Sequence, residues 1–524
     1  MSNSPEVPAT WASARLDEIC AINERPFSPL KPAYSLPAHF VPMAAVKEEY
    51  GGIDVSATRP LGEVIKGYTA FVPGDVLFAK ITPCMENGKV ALVPLLGRHV
   101  GFGSTEFHVL RAGDAVLPEW VARYLSQLSF RKLARQDMSG SAGQLRVQTA
   151  WLSSASIPVA PLPEQRRIVQ HIDELLSDID AAVVELVAAK RKLALYRQSL
   201  LKSAVEGTLT AEWRRAKPPQ EAGTELLARA LRTRRSNWEE RQLARYRLSE
   251  KEPPTGWAAQ YPEPVLPDLS NLHELPGQWA WASLDMLGEI ASGVAKGSKT
   301  KPDEVLREVP YLRVANVQRG RLDLGDIKTI FASERHIEEL TLQAGDVLFN
   351  EGGDRDKLGR GWVWRNRVPD CIHQNHVFRM RPLLAELNSE FISHHGNTFG
   401  QRWFESAGKQ TTNLASINLS ILRAFPVPVP PPDEQSQIIA IVREQLESML
   451  QQEIAVERGL KLATAQRQNI LRAAFSGQLV PQDPNDEPAS VLLERIRAEG
   501  LARAATPSAR RPRAAQAGRR SQHD

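Results

Sequence analysis

Cysteine is scarce in this sequence. Cys20, Cys84 and Cys371 are the only three, odd in number and far apart, which supports neither a disulfide framework nor a zinc knuckle. Long apolar runs are missing too, and none approaches the roughly 18 residues of a membrane span. Residues 1–10, with Glu6 and two prolines, lack the basic-then-apolar form of a signal peptide. The expectation is a cytoplasmic protein with no membrane partner. Neither sign of charge dominates: 65 Lys and Arg against 61 Asp and Glu leave a formal +4 over 524 residues, which permits nucleic acid without demanding it. Apolar content of 42% and a charged fraction of 24% describe a globular chain, and its length calls for more than one domain.

Catalytic motifs are equally sparse. The Asn-Pro-Pro or Asp-Pro-Pro loop used for base amino-methylation does not occur. Residues 293–300 brush against a phosphate loop, but Ser298 stands where a second glycine should precede Lys299. Asp354 and Asp356 beside Lys357 read as a solvated loop. His394 and His395 are the only adjacent histidines and have no carboxylate at ligand spacing. A rival reading remains: Asp303 with Asp326 and Lys328 fits the loose two-carboxylate-plus-lysine spacing of a magnesium-dependent nuclease acting by itself. That pattern is permissive, and the first half of the chain has no counterpart. No catalytic and no metal-binding residue is assigned.

What is present is duplication. Aligning Glu164 with Glu434 carries two copies without a gap to Leu209 and Leu479, with eleven identities in 46 positions. The identities gather at the ends. Glu164, Gln165 and Ile168 return as Glu434, Gln435 and Ile438; Arg197, Gln198, Leu201, Ala204, Gly207 and Leu209 return as Arg467, Gln468, Leu471, Ala474, Gly477 and Leu479. The first copy has no proline or glycine from 164 to 206 and an apolar seam at Ile168, Ile172, Leu175, Ile179, Ala182, Leu186, Ala189, Leu193, Tyr196 and Leu200, the pattern of a coiled-coil helix. Pro161 and Pro163 suit its start and Gly207 a left-handed stop. The second copy is less regular, with Gln445, Gln452 and Gly459 on the strict seam; its natural mate is the first. Glu164, Gln165, Ile168, Leu201, Gly207, Glu434, Gln435, Ile438, Leu471 and Gly477 are the residues expected to join the helix pair and dock partners.

The repeat extends beyond the helices. Trp11-x4-Leu16-Asp17 matches Trp279-x4-Leu284-Asp285, and Gly74-Asp75-Val76-Leu77-Phe78 matches Gly345-Asp346-Val347-Leu348-Phe349, a tight turn feeding a buried strand. Strands are predicted at 72–78, 90–93 and 107–110, then 311–317, 346–349, 362–364 and 377–380. Helices are predicted at 118–135 and 389–405. The expected organisation is an α+β globular domain at 1–160, a long helix at 161–210, a charged helix and proline-rich linker at 211–276, a second domain at 277–430, a second long helix at 431–480, and a short helix with a disordered tail at 481–524. The charged helix carries seven arginines between 229 and 247, interleaved with Glu239 and Glu240, which favours a solvated face or a partner contact. Residues 491–497 echo its start, and the tail from 503 carries six arginines and one acid.

Two diverged domains, each opening Trp-x4-Leu-Asp, each containing Gly-Asp-Val-Leu-Phe, each closing on Pro-x-Pro and Glu-Gln (Pro161, Pro163, Glu164-Gln165; Pro430, Pro432, Glu434-Gln435) before a helix ending Gly-x-Leu, resemble the specificity subunit of a type I restriction-modification system. The resemblance covers residues 11 to about 500 and departs in the arginine-rich end. It implies an α+β fold of two similar target recognition domains separated by two long antiparallel coiled-coil helices, a pseudo-two-fold internal repeat. It also implies a non-catalytic reader of double-stranded DNA. Each domain would read one half of a bipartite asymmetric site, and the helices would set the unread spacer. Two modification (methyltransferase) subunits would supply S-adenosylmethionine chemistry, and two restriction (motor-nuclease) subunits would bring ATP and magnesium; the chain itself would hold no cofactor. Candidate DNA contacts, chosen as Arg, Lys, Asn, Gln, Ser or Thr able to meet phosphates or base edges, are Lys80, Thr82, Asn87, Lys89, Ser104, Thr105, Ser141, Gln144 and Arg146 in the first domain. In the second they are Asn350, Arg355, Lys357, Arg360, Gln374, Asn375, Lys409, Gln410 and Asn413.

Overall fold

The computed structural model describes residues 7–26, 34–49, 52–96, 100–141, 143–295, 297, 305–353, 357–407, 409–410 and 415–505. It divides into two compact units, residues 1–187 with 457–524 and residues 188–456. Among the described residues no helix is long and apolar enough to cross a membrane.

In the first unit, Ala12–Arg15 pairs antiparallel with Ser156–Val159, Ala12 opposite Val159, so the globular domain is closed by its own two ends. Between them lie two four-stranded sheets. One is antiparallel, in the order Cys20–Ile22, Phe107–Ala112, Val76–Ala79, Val90–Leu92. The other runs Thr58–Pro60, Pro37–Val41, Gly101–Gly103, Thr69–Phe71, with its central pair parallel. The main core joins Leu16, Phe78, Leu110, Trp120 and Ile157 to Ile168, Ile172 and Leu176 of the first long helix and to Leu471, Ala474 and Phe475 at the end of the second. Each fully buried aliphatic there contributes about 1.5–3 kcal/mol.

The second unit repeats this plan. Ala280–Ser283 pairs with Pro426–Val429 in the same register, Ala280 opposite Val429. The antiparallel sheet runs Gly288–Ser292, Val377–Pro382, Val347–Asn350. The other runs Lys328–Ser333, Leu306–Leu312, Ile372–His373, again with one parallel pair. The strand expected at 362–364 is reduced to a single bridge, Val347 to Val363, in the place that Val90–Leu92 fills in the first unit. The strand expected at 311–317 ends at Leu312 and gives way to a short 3-10 turn at Val314–Asn316. Both predicted domain helices are broken in two, at Pro118–Leu125 with Leu128–Gln136 and at Ser389–Thr398 with Gly400–Ala407.

The frame inside each unit is held by one buried ion pair. Asp75 accepts a two-pronged bond from Arg111 (2.8 and 2.8 Å) and the Val72 N–H at 2.8 Å. Asp346 does the same with Arg381 (2.8 and 2.8 Å) and the Gln343 N–H at 2.8 Å. This is why aspartate follows glycine in both motifs: its carboxylate closes the turn while charge-assisted bonds satisfy it in the interior.

Two long helices, Leu162–Val205 and Pro432–Phe475, lie antiparallel wherever they meet. In the first unit Asp180 is ion-paired with Arg467 and Leu186 lies against Gly459. In the second, Arg197 pairs with Glu453 at 3.2 Å, and Ala204 packs with Ile438, Ile439 and Val442. The seam differs from the expected one. Leu176 and Val183 are covered rather than Ala182, which is exposed; Arg197 is half-buried while Tyr196 is exposed; and Glu453 takes the place expected for Gln452. A 3.5-residue repeat laid on a helix of 3.6 residues per turn drifts steadily, so the covered stripe steps to the next residue.

The ends of the helices explain where the sequence identities fall. In the second unit Glu434 accepts from Thr210 Oγ1 (2.6 Å), Arg214 (2.7 Å to Oε1) and Trp279 Nε1 (2.9 Å). Gly207, at φ +76, sits so close to Pro276 and Trp279 that a Cβ would come 2.7 Å from Pro276 Cγ. In the first unit Glu164 accepts from Gln482 Nε2 at 2.5 Å, and Gly477, at φ +72, would put a Cβ 2.3 Å from Pro8 Cγ and 3.6 Å from Trp11. Gln165 accepts the Leu117 N–H and donates to Ala115 and Ala160 carbonyls; Gln435 accepts the Asn388 N–H and donates to Pro430 O. Ile168, Leu471 and Ile438 are buried and Leu201 is half-buried. The ten residues singled out for helix pairing and docking thus face the interior of their own units.

The arginine-rich helix, Gly223–Leu248, is neither free nor wholly solvated. It buries Leu226 and Ala230 in the second domain's core, and Arg229 bridges Glu221 and Glu386, each at 2.8 Å, while Arg234 reaches Asp285 at 3.3 Å and Arg241 pairs with Glu289. Ala489–Ala505 is its counterpart in the first unit: Ala489 and Leu493 are buried, and Arg495 pairs with Glu487 across the same eight-residue gap as Arg229 with Glu221. The tail expected to be disordered lies from 506 onward outside the described residues.

Candidate nucleic-acid interface

In both units the Gly-Asp-Val-Leu-Phe strand runs out of the sheet into a segment flanked by two others. In the first, the Lys80 N–H donates to Glu106 O at 2.9 Å and Lys80 O accepts from Val147 N at 2.8 Å. Thr82 ties the segment to the hairpin Ser139–Ser141 and Gln144–Arg146: its N–H donates to Leu145 O at 3.0 Å, its hydroxyl donates to Gly143 O at 2.9 Å and accepts from Leu145 N at 3.1 Å. Lys80, Thr82, Ser104, Thr105, Ser141, Gln144 and Arg146 are therefore brought together, with Thr105, Ser141 and Gln144 exposed. Ser104 Oγ accepts the Glu106 N–H at 3.2 Å. Arg146 grips Glu106 with Nη2 at 2.9 Å and Nε at 3.0 Å, and that bond holds the Glu106 carboxyl below the usual carboxylate range.

Two first-domain candidates belong elsewhere. Lys89 turns inward, its ammonium donating to Val46 O at 2.9 Å and Met43 O at 3.2 Å, and Asn87 bonds Glu48 at 2.8 Å. Both brace the loop at 43–49.

The second unit builds the same junction. The Glu351 N–H donates to His376 O at 2.9 Å and Glu351 O accepts from Ile417 N at 2.9 Å. Gly352–Gly353 pairs with Ala415–Ser416, which pairs in turn with Lys409–Gln410, so the backbones of two candidates lie on the same small sheet as the junction. Asn350 is fully buried and donates to Val317 O at 2.9 Å, a bracing role. Arg360 reaches back to Val314 O at 3.4 Å, and Gln374 Oε1 accepts from Val314 N at 3.4 Å. Asn375 stands beside His376, Nδ2 to Nε2 3.3 Å, and Lys357 is half-buried. Arg355 and Asn413 lie outside the described residues, as does Asp303 of the rival nuclease reading. Its partner Asp326 is engaged by Lys328 at 2.9 Å and Arg313 at 3.2 Å. Among the described residues no group of three His, Cys, Asp or Glu is placed to hold a metal ion.

No family model matches the chain. Among curated proteins it is 26% identical over 516 residues to the type I restriction enzyme EcoEI specificity subunit of Escherichia coli, a match covering 88% of this chain and 82% of that one. It is 27% identical over 496 residues to the EcoAI specificity subunit, also of Escherichia coli, covering 84% and 78%. Over most of its length the chain is similar to specificity subunits of type I restriction enzymes. Two solved structures share its fold. One, described under complex assembly and conformational transition of the type I R-M system, has a TM-score of 0.63 at 20% identity and covers 90% of this chain and 100% of its own. The other, the HsdS subunit from Thermoanaerobacter tengcongensis, has a TM-score of 0.53 at 18% identity, covering 91% and 100%.

Four residues of this chain went unnoticed in the sequence although they stand in its junctions: Glu106, Glu351, His376 and Ser416. The signal was available. Continuing the alignment of the two Gly-Asp-Val-Leu-Phe motifs sets Lys80 opposite Glu351, but a glutamate is not a residue one nominates for a polyanion.

Proposed function

We propose that the chain is the DNA-sequence-recognition component of a type I restriction-modification complex. Residues 1–160 and 277–430 each read one half of a bipartite asymmetric site, and the helix pair sets the unread spacer and docks two modification subunits. Those subunits supply S-adenosylmethionine chemistry, and two motor-nuclease subunits bring ATP and magnesium; this chain contributes no reacting group. One observation carries the reading: a single frame, fixed by Asp75–Arg111 and by Asp346–Arg381, is built twice and capped by unlike polar loops. A repeated frame with diverged loops fits two half-sites of different sequence. The basic tail adds sequence-independent affinity for phosphates.

Exchange of residues 11–160 for the equivalent domain of a relative, followed by mapping of methylated positions, tests it. One half-site is expected to change and the other to stay; a change in both would mean the domains do not read independently. Four residues inserted near Ala188 add about 6 Å of helix and are expected to lengthen the spacer by about one to two base pairs. The purified chain with magnesium alone is expected to leave DNA uncut, and cleavage lost in Asp326→Ala would establish the nuclease reading instead.

A further inference from the structure

The two junctions are the same in backbone and opposite in chemistry. Three strands contribute one side chain each: Lys80, Glu106 and Arg146 in the first unit, Glu351, His376 and Ser416 in the second. The correspondence is fixed by hydrogen bonds rather than by similarity. Lys80 and Glu351 each donate backbone N–H to the residue opposite (Glu106, His376; 2.9 and 2.9 Å), and each accepts from the residue after the third member (Val147, Ile417; 2.8 and 2.9 Å). In the first unit Arg146 is ion-paired with the Glu106 carboxylate at 2.9 Å, and Lys80, whose backbone bonds Glu106 O, adds a second positive charge nearby. In the second the lysine position is a carboxylate, the carboxylate position is histidine, and the arginine position is serine. Glu351 Oε2 lies 2.5 Å from His376 Nδ1, with the Glu351 side chain 28% exposed.

A carboxylate at this place opposes any neighbouring phosphate, so an electrostatic role is the wrong one for it. Its useful chemistry is acceptance: in the major groove, glutamate pairs with an exocyclic amino group, whereas arginine and lysine pair with guanine O6 and N7. Resting on the reading of each domain as a half-site reader, we propose that this three-strand junction is a base-reading position in both domains. In the second domain Glu351, aimed by His376, accepts a hydrogen bond from the amino group of a cytosine or adenine; in the first, Arg146 and Lys80 offer donors to a guanine. His376 is a positioning residue: its ring fixes one carboxylate oxygen and leaves the other for the base.

The test uses the full chain assembled with its modification subunits and a duplex carrying the mapped site, with every position substituted in turn and binding read by anisotropy. Glu351→Gln keeps size but replaces one acceptor oxygen with a donor. It is expected to lower discrimination at a single C or A position of the second half-site about tenfold or more, the scale of one good base contact, with other positions unchanged. His376→Ala is expected to weaken preference at that same position and no other. Arg146→Ala should do likewise at one guanine of the first half-site. A uniform shift across all positions, or an unchanged profile in Glu351→Gln, would overturn the assignment while leaving the half-site reading intact. Absence of sequence selectivity in the unsubstituted complex would overturn both. An unchanged thermal midpoint in each variant separates these outcomes from misfolding.

Discussion

Trp279 donates its indole N–H to Glu434 Oε2 at 2.9 Å, tying the first residues of the second domain to the first turn of the second long helix. Arg214 adds a bridge to the same carboxylate at 2.7 Å, and Glu434 is 1% exposed. Glu434→Ala would leave an arginine, an indole and the Thr210 hydroxyl without their acceptor. A loss of about 3–5 kcal/mol is expected, the scale of a buried pair deprived of one member, read by denaturant unfolding.

Among the described residues no arginine is ion-paired with Glu164, the equivalent carboxyl of the first unit. Burial pushes the Glu164 carboxyl above its usual value of 4.5, with Trp11 and Gln482 pulling the other way. An acid whose folded value is raised binds protons more readily folded than unfolded. Its contribution to stability is therefore fully present below the ordinary value and is lost as pH rises through the raised one. Glu164→Gln imitates the protonated form and keeps the amide acceptor for Gln482, so it is expected to flatten that decline. Unfolding midpoints compared between about pH 4 and 8 check it, and parallel slopes in the two proteins would contradict it.

Helix-end glycines offer a sharper probe because a control exists. Gly477 and Gly207 combine positive φ with Cβ positions inside Pro8 and Pro276, whereas Gly74 has positive φ and nothing within 4 Å. Gly74→Ala should cost about 1–2 kcal/mol for backbone alone. Gly477→Ala and Gly207→Ala should each exceed it by about 1–3 kcal/mol of overlap.

These two glycines also show what the sequence discloses. A duplication is legible because identical residues at matching places mark where the chain packs in the same way, and Trp11, Glu164 and Gly477 gather at one helix end as Trp279, Glu434 and Gly207 do at the other, although only Trp279 hydrogen-bonds its glutamate. The frame was legible for the same reason. Side-chain assignment within the loops was not: Lys89 and Asn350 have the right chemistry for DNA but spend it on nearby carbonyls, and only the fold reveals those partners. Glu351 failed in the other direction, since its meaning comes from standing where Lys80 stands.

At Tyr196 the helix seam is looser than the periodicity implies: the side chain is exposed and reaches the other helix only through its hydroxyl, which donates to Gln445 Oε1 at 3.3 Å. Tyr196 is 50% exposed and Leu200 4%. Leu200→Ala is expected to cost about 2–4 kcal/mol as a buried large-to-small change, and Tyr196→Ala under about 0.5 kcal/mol as a surface one. A strict 3.5-residue seam would make the two losses comparable.

The Asp75–Arg111 pair tests whether the frame is one unit or a collection of contacts. Asp75 is fully buried while Arg111 is about one-third exposed, so deleting the acid removes two charge-assisted bonds and the acceptor of the Val72 N–H, and deleting the base strands a buried carboxylate. Asp75→Ala and Arg111→Leu are each expected to cost about 3 kcal/mol. The double variant should cost clearly less than their sum, with a coupling of about 1.5–3 kcal/mol. The same cycle on Asp346 and Arg381, whose two carboxylate bonds match those of the first pair and whose arginine also donates to Thr341 O at 3.0 Å, should return a coupling within about 1 kcal/mol of the first. Equal couplings would mean the two domains hold their loops on equally rigid frames, so that differences in what they bind arise from the loops alone; a pair that proves additive would place the rigidity elsewhere.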